Sequence, residues 1–277
     1  HDLISRTTGD VYKTVDASEL FDGICLSAWQ CADPGLQFSG AMNRMHTCKN
    51  SGEIRGTNPC AEYVFLDDTA CNLASLNLTK FFKDGIFQED MYLHAVRLWT
   101  IILDISVSMA SFPSKEIAWG SHNFRTLGLG YANLGALLMS MGIPYDSQDA
   151  RDSATILTST MTAQSYLTSS ELSFVLNPFP KYEENKDPMM AVIREHSESD
   201  RSFSQGLRFD FRTDVGKSLW DQVIRSGEQY GFRNAQTTLI APTGTIALVM
   251  DCDTTGVEPD FALFKHKALA GGGSMEI

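Results

Sequence analysis

What this 277-residue chain lacks narrows it first. Its six cysteines, at 25, 31, 48, 60, 71 and 252, form no CxxC pair and match no common zinc spacing. They are too sparse for a secreted disulfide scaffold, so the thiols read as reduced and the chain as cytoplasmic. No apolar run approaches the roughly 20 residues that cross a bilayer; 134–141 is among the longest. No charged-then-apolar leader opens the chain. Cations are also short, 22 Lys plus Arg against 34 Asp plus Glu, for a net charge of -12. That balance argues against coating a nucleic-acid polymer, though a single nucleotide needs only a few backbone N–H groups. Repeats, low-complexity tracts and Pro/Gly/Ser linkers are missing too, and the chain reads as one domain over 1–277.

What is present is ordinary globular material, 43% hydrophobic and 20% charged, long enough for a large core. A short helix is expected over 17–30. Apolar residues at 92, 95, 96, 99, 102, 103 and 107 have helical spacing, predicting a helix over 89–112 ended by Pro113. Ser147 is a candidate N-cap for a helix reaching Leu176, where Asn177-Pro178 stops it. Asp187-Pro188 reads as another helix start, and a further helix is expected from 214 to 227 or 231. Residues 63–66 and 237–241 read as short buried strands, the second broken by Pro242-Thr243-Gly244-Thr245. Long helices alternating with short buried strands indicate an α/β barrel or wound sheet.

Three chemically useful side chains alternate at Asn58, Cys60 and Glu62. In an extended backbone they would point to one side, so an amide, a thiol and a carboxylate would share one volume. There the thiol could react, the carboxylate could move a proton and the amide could orient either. The competing reading is an ordinary Asn-Pro turn beside an inert cysteine. Eleven residues on, Cys71 is either a second redox thiol or a small core residue. The stretch Pro242, Thr243, Gly244, Thr245, Ile246 follows an expected strand and could offer free N–H groups and hydroxyls to an anion, or be a plain turn. It is not a Walker loop. Gly128-Leu129-Gly130-Tyr131-Ala132-Asn133 lacks the third glycine of a dinucleotide loop, and reads as a close helix-packing site. His46 and Cys48 read as a solvated loop, and no metal site is expected.

At these residues a resemblance emerges. Asn58-Pro59-Cys60-Ala61-Glu62-Tyr63, followed by Leu66-Asp67-Asp68-Thr69-Ala70-Cys71-Asn72-Leu73-Ala74-Ser75-Leu76-Asn77-Leu78, closely resembles the large catalytic subunit of ribonucleotide reductases. The wording is most similar to the class II, adenosylcobalamin-dependent branch. Trp29-Gln30-Cys31-Ala32-Asp33-Pro34-Gly35, Leu127-Gly128-Leu129-Gly130-Tyr131-Ala132-Asn133-Leu134-Gly135, Asn177-Pro178-Phe179-Pro180 and Arg233-Asn234-Ala235-Gln236 agree, as does the run from Ala241 to Ala262. The resemblance implies part of a ten-stranded α/β barrel with a finger loop carrying the radical cysteine to its centre. It implies that Cys60 becomes a thiyl radical, that Glu62 takes the 3′-hydroxyl proton and that Asn58 hydrogen-bonds in the same site. Cys71 matches one member of a reducing dithiol whose partner lies upstream, and 242–246 matches the segment that cradles substrate phosphates. Adenosylcobalamin, a ribonucleoside di- or triphosphate, an external dithiol such as thioredoxin and the remaining part of the reductase chain are the implied partners.

The chain opens on His1 and closes soon after Gly271-Gly272-Gly273, which reads as a piece of something longer, inactive alone. Three alternatives stand beside this reading. A class I subunit would take its radical from a separate metal-containing subunit, a glycyl-radical enzyme would share the barrel, and a non-catalytic fragment would act only when joined to its partner half.

Overall fold

The computed structural model describes residues 1–202, 213–262, 264–268 and 271–276. They fall into two compact units, His1–Gly40 and Ala41–Ile277. Among the described residues no helix is long and apolar enough to cross a membrane.

In the first unit β1 (Asp2–Ile4) and β2 (Val11–Thr14) pair antiparallel, and α1 (Ala17–Cys31) follows. Asp16 caps α1 by accepting from the Ser18 and Glu19 N–H groups, and Ala32 ends it in the left-handed region at φ 63°. The expected 17–30 helix is therefore present. None of its residues is buried.

The elements that follow are α2 (Ser39–Arg44), β3 (Asn72–Asn77), a 3₁₀ turn over Leu78–Phe81, β4 (Phe82–Lys83), β5 (Ile86–Phe87) and α3 (Glu89–Met109). Next come α4 (Lys115–Phe124), β6 (Leu127–Ala132), α5 (Leu134–Ser140), α6 (Gln148–Leu176), α7 (Tyr182–Ser202) and α8 (Thr213–Tyr230). The short α9 (Ile246–Val249) and the antiparallel pair β7 (His266–Ala268) and β8 (Ser274–Glu276) close the chain.

The central feature is parallel. β3 and β6 run side by side from Asn72 opposite Leu127 to Asn77 opposite Ala132. On the other side of β6, the Leu129 N–H donates to the Thr237 carbonyl (3.1 Å) and the Leu239 N–H to the Leu129 carbonyl (3.0 Å). The expected 237–241 strand is thus an extended segment bridged to β6 at Thr238 rather than a full strand. Leu127, Leu129 and Tyr131 pack into one core with Tyr92, Val96 and Leu103 of α3 and Leu157 and Met161 of α6. Alternation sends Gly128 and Gly130 to the opposite face.

Several expectations are corrected. The Gly128–Gly130 stretch lies in a buried strand, and the close approach there is to neighbouring strand segments: a Cβ on Gly130 would sit 2.4 Å from the Leu239 carbonyl oxygen. Residues 63–66 form no strand among the described residues. Pro188 does not start a helix but lies inside α7. Proline leaves the Glu184 carbonyl without its helical N–H partner, and the Asn50 Nδ2 donates to that carbonyl instead (2.6 Å). His46 and Cys48 are buried rather than solvated, at 2% and 0% exposure. The 89–112 helix ends at Met109, with Ala110 already extended. Ser147 does cap α6, its Oγ accepting from the Ala150 N–H at 3.1 Å. α8 matches the helix expected from 214, with Gly231 at φ 69° just beyond its end; the Asp214 side chain lies outside the described residues.

Candidate active site

Asn58 and Glu62 meet, but not by strand alternation, and Cys60 lies on the same turn. The Ala61 N–H donates to the Asn58 carbonyl at 3.0 Å, closing a turn with Pro59 and Cys60 at its centre. Proline at the second position presets the φ that such a turn needs. Ala61 then takes a left-handed φ of 63°, which reverses the chain. Asn58 and Glu62 are left facing each other across the base of the turn, and Asn58 Nδ2 donates to Glu62 Oε2 at 2.5 Å. Asn58 Oδ1 accepts from the Tyr63 N–H (2.9 Å), and the Asn58 N–H donates to the Tyr63 carbonyl (3.3 Å). Both ends of the amide therefore help lock the turn. Cys60 sits at its exposed apex.

Cys71 lies one residue before β3. Its Sγ occupies the space that the missing side chain of Gly128 leaves open, since a Cβ there would be 2.8 Å away. Burial, with a smaller push from the Glu62 carboxylate, raises its thiol to about 12. One carboxylate thus bears on both the Cys60 turn and the Cys71 thiol. Cys48 is also driven to about 12 by burial, but it packs in the core with Phe65, Phe124 and Tyr166. His46 is held neutral, its value lowered to about 4 by the same cause.

The 242–246 segment turns sharply after the extended segment. Thr243 has φ 57°, and its Oγ1 accepts from the Gly256 N–H at 2.8 Å. The Ala247 N–H donates to the Thr243 carbonyl at 2.9 Å. Among the described residues the Gly244, Thr245 and Ile246 N–H groups have no acceptor, so three donors remain available at an exposed turn. No hydrogen bond or ion pair among the described residues joins this turn to residues 58–62.

Sequence reasoning missed two buried polar groups. The Tyr63 hydroxyl lies 2.8 Å from both Thr69 Oγ1 and Thr126 Oγ1. Asp104 and Arg125 form a buried ion pair, the Arg125 Nε donating to Asp104 Oδ1 at 2.8 Å, and Asn234 Nδ2 donates to the same oxygen at 2.8 Å. Nothing short-range marks the Asp104–Arg125–Asn234 cluster, because its partners lie 21 to 130 positions apart.

The comparisons with known proteins agree on one family. A family model described as "Ribonucleotide reductase, barrel domain" matches residues 3–277. A vitamin B12-dependent ribonucleotide reductase of Agrobacterium fabrum is 51% identical over 99% of this chain and 23% of its own length. A protein of the same name from Streptomyces coelicolor is 47% identical over 99% of this chain and 29% of its own length. A vitamin B12-dependent ribonucleoside-diphosphate reductase of Mycobacterium tuberculosis is 31% identical over 100% of this chain and 34% of its own length. The chain spans about a quarter to a third of the length of these relatives.

Proposed function

The chain belongs to the ribonucleotide reductase barrel-domain family, and from that premise we propose that it is the radical-site portion of a class II reductase that converts ribonucleotides to 2′-deoxyribonucleotides. The observation that carries this reading is the Cys60 turn: an exposed thiol at the apex, an Asn58–Glu62 bond across the base, and Cys71 within range of the same carboxylate.

Adenosylcobalamin is proposed as the radical source because the relatives' printed names are vitamin B12-dependent; this also favours class II over class I. The described residues do not build a site for it. Cavities of about 780 and 720 Å³ are present, yet neither is lined by Cys60 or Cys71. Once the thiol hydrogen atom of Cys60 is gone, the chemistry runs on this chain's own residues.

The Cys60 sulfur radical takes the 3′ hydrogen atom of the ribose, reforming S–H and leaving a carbon radical. Glu62 takes the 3′-hydroxyl proton, held in line by Asn58. The C2′–O bond then breaks and the 2′-hydroxyl leaves as water. Two thiols, Cys71 and one outside these residues, supply two electrons and two protons, one to the departing hydroxyl and one to C2′, and close to a disulfide, while Glu62 returns its proton to the 3′ oxygen. Cys60 S–H finally returns its hydrogen atom to C3′, and an external dithiol such as thioredoxin reopens the disulfide. The free N–H groups of 244–246 suit the substrate's di- or triphosphate.

A chain of the relatives' full length tests this. Cys60→Ser should abolish product, because an alcohol O–H bond is too strong to yield the radical. Cys71→Ser should still form the radical but fail at repeated turnover. Normal turnover by Cys60→Ser would remove the radical assignment, and normal turnover by Cys71→Ser the reductant assignment.

A further inference from the structure

We propose that Tyr63 is a positioning residue whose hydroxyl pins the Cys60 turn to the start of β3, fixing where the Cys60 and Cys71 thiols lie relative to one another. The inference rests on the reading of those two thiols given above.

Tyr63 is attached at both ends. Its backbone forms the neck of the turn, exchanging hydrogen bonds with Asn58 through the Asn58 N–H and Oδ1. Its ring runs beside Phe65, with centroids 6.3 Å apart. Its hydroxyl ends between Thr69 Oγ1 and Thr126 Oγ1, 2.8 Å from each. Those threonines hold the connector that leads to Cys71. Thr69 Oγ1 donates to the Leu66 carbonyl (2.5 Å) and Thr126 Oγ1 to the Ala70 carbonyl (2.9 Å), while the Ala70 N–H donates to Ser121 Oγ (3.0 Å). Thr126 directly precedes β6, the strand whose Gly128 receives the Cys71 sulfur. One side chain therefore spans from the loop that bears Cys60 to the strand pair that seats Cys71.

Counting protons defines the role. Three hydroxyls carry three protons. The two threonine protons are already on backbone carbonyls, so only the phenol proton is left for the Tyr63–Thr69 and Tyr63–Thr126 contacts. Removing the phenol oxygen leaves no buried donor unpaired, which costs far less than orphaning one. Burial keeps the phenol protonated, its value pushed well up. Tyr63→Phe should accordingly fold and lose only the pin.

The experiment uses a chain of the relatives' full length with Tyr63→Phe and, separately, Thr126→Val, which removes the anchor while keeping its shape. Two readouts are taken: the iodoacetamide labelling rate of each thiol by mass spectrometry, and the sulfur-radical signal set against kcat and KM. With the pin gone, Cys71 should label about tenfold faster through local opening while Cys60 labels as before. The radical signal and KM should hold, and kcat should fall on the order of 10- to 100-fold from misplacement alone. Thr126→Ser, which restores a hydroxyl, should recover most of the loss. Unchanged Cys71 labelling in both variants, or a radical signal that falls in step with kcat, would overturn the proposal. A parallel Cys71→Ser enzyme with normal turnover would instead sink the reductant assignment, leaving the labelling result to judge the pin.

Discussion

Cys71 is under two pressures at the scale of the single residue. Burial, with a smaller push from the Glu62 carboxylate, raises its thiol to about 12. Both favour neutral S–H, the form that can deliver a proton with its electrons. Alkylation needs the thiolate, so its rate at Cys71 should climb about tenfold per pH unit to near pH 11 before levelling. Glu62→Gln removes the second cause and keeps the first, so the plateau should begin at lower pH yet stay above the ordinary thiol value of about 8.5. A plateau near pH 8.5 in the parent would contradict the burial. The folded value lies above the unfolded one, so this thiol's stabilising share is complete below about pH 8.5 and is lost as pH rises toward 12. Asn58, Cys60 and Glu62 stood out in the sequence as candidates by residue type and spacing, with the family resemblance favouring them over an ordinary turn; Asn58 and Glu62 meet through a turn and not through alternation. Tyr63 was not legible as a functional group, because beside Val64 and Phe65 it reads as one more apolar residue.

At the scale of elements, the glycines of β6 carry a steric requirement. Gly130 abuts the carbonyl oxygen of Leu239, a backbone atom that cannot turn aside. Gly130→Ala should therefore force the 236–239 segment off β6 and destabilise the protein by about 1–3 kcal/mol or more. Chemical denaturation would check this, and a loss under 0.5 kcal/mol, within the ordinary surface range, would refute it. The long helices were readable because periodicity and caps are local: Ser147 and Asn177-Pro178 bound α6, and Asp16 starts α1. The start of α7 was not readable. A proline six residues into a helix is tolerated here through Asn50, more than 130 residues earlier in the chain. β6 was missed for a related reason. Buried on both sides, it shows no alternation, and its two glycines look like a close helix-packing site until the neighbouring segments are in place.

For the molecule as a whole, the polar groups that fix the layers are buried and long-range. Asp104 of α3, Arg125 before β6 and Asn234 form one hydrogen-bonded cluster, with Ser169 of α6 donating to Asn234 Oδ1 at 2.8 Å. That cluster ties the helices to the strand face opposite the one where Cys71 sits. We propose that this framework presents one particular sulfur, Cys60, for radical chemistry. The most direct measurement is electron paramagnetic resonance on the freeze-quenched full-length enzyme, grown with β-deuterated cysteine and mixed with cofactor and ribonucleotide. A sulfur-centred signal that narrows on deuteration, vanishes in Cys60→Ser and persists in Cys71→Ser is the predicted result. A signal of undiminished size in Cys60→Ser would contradict it.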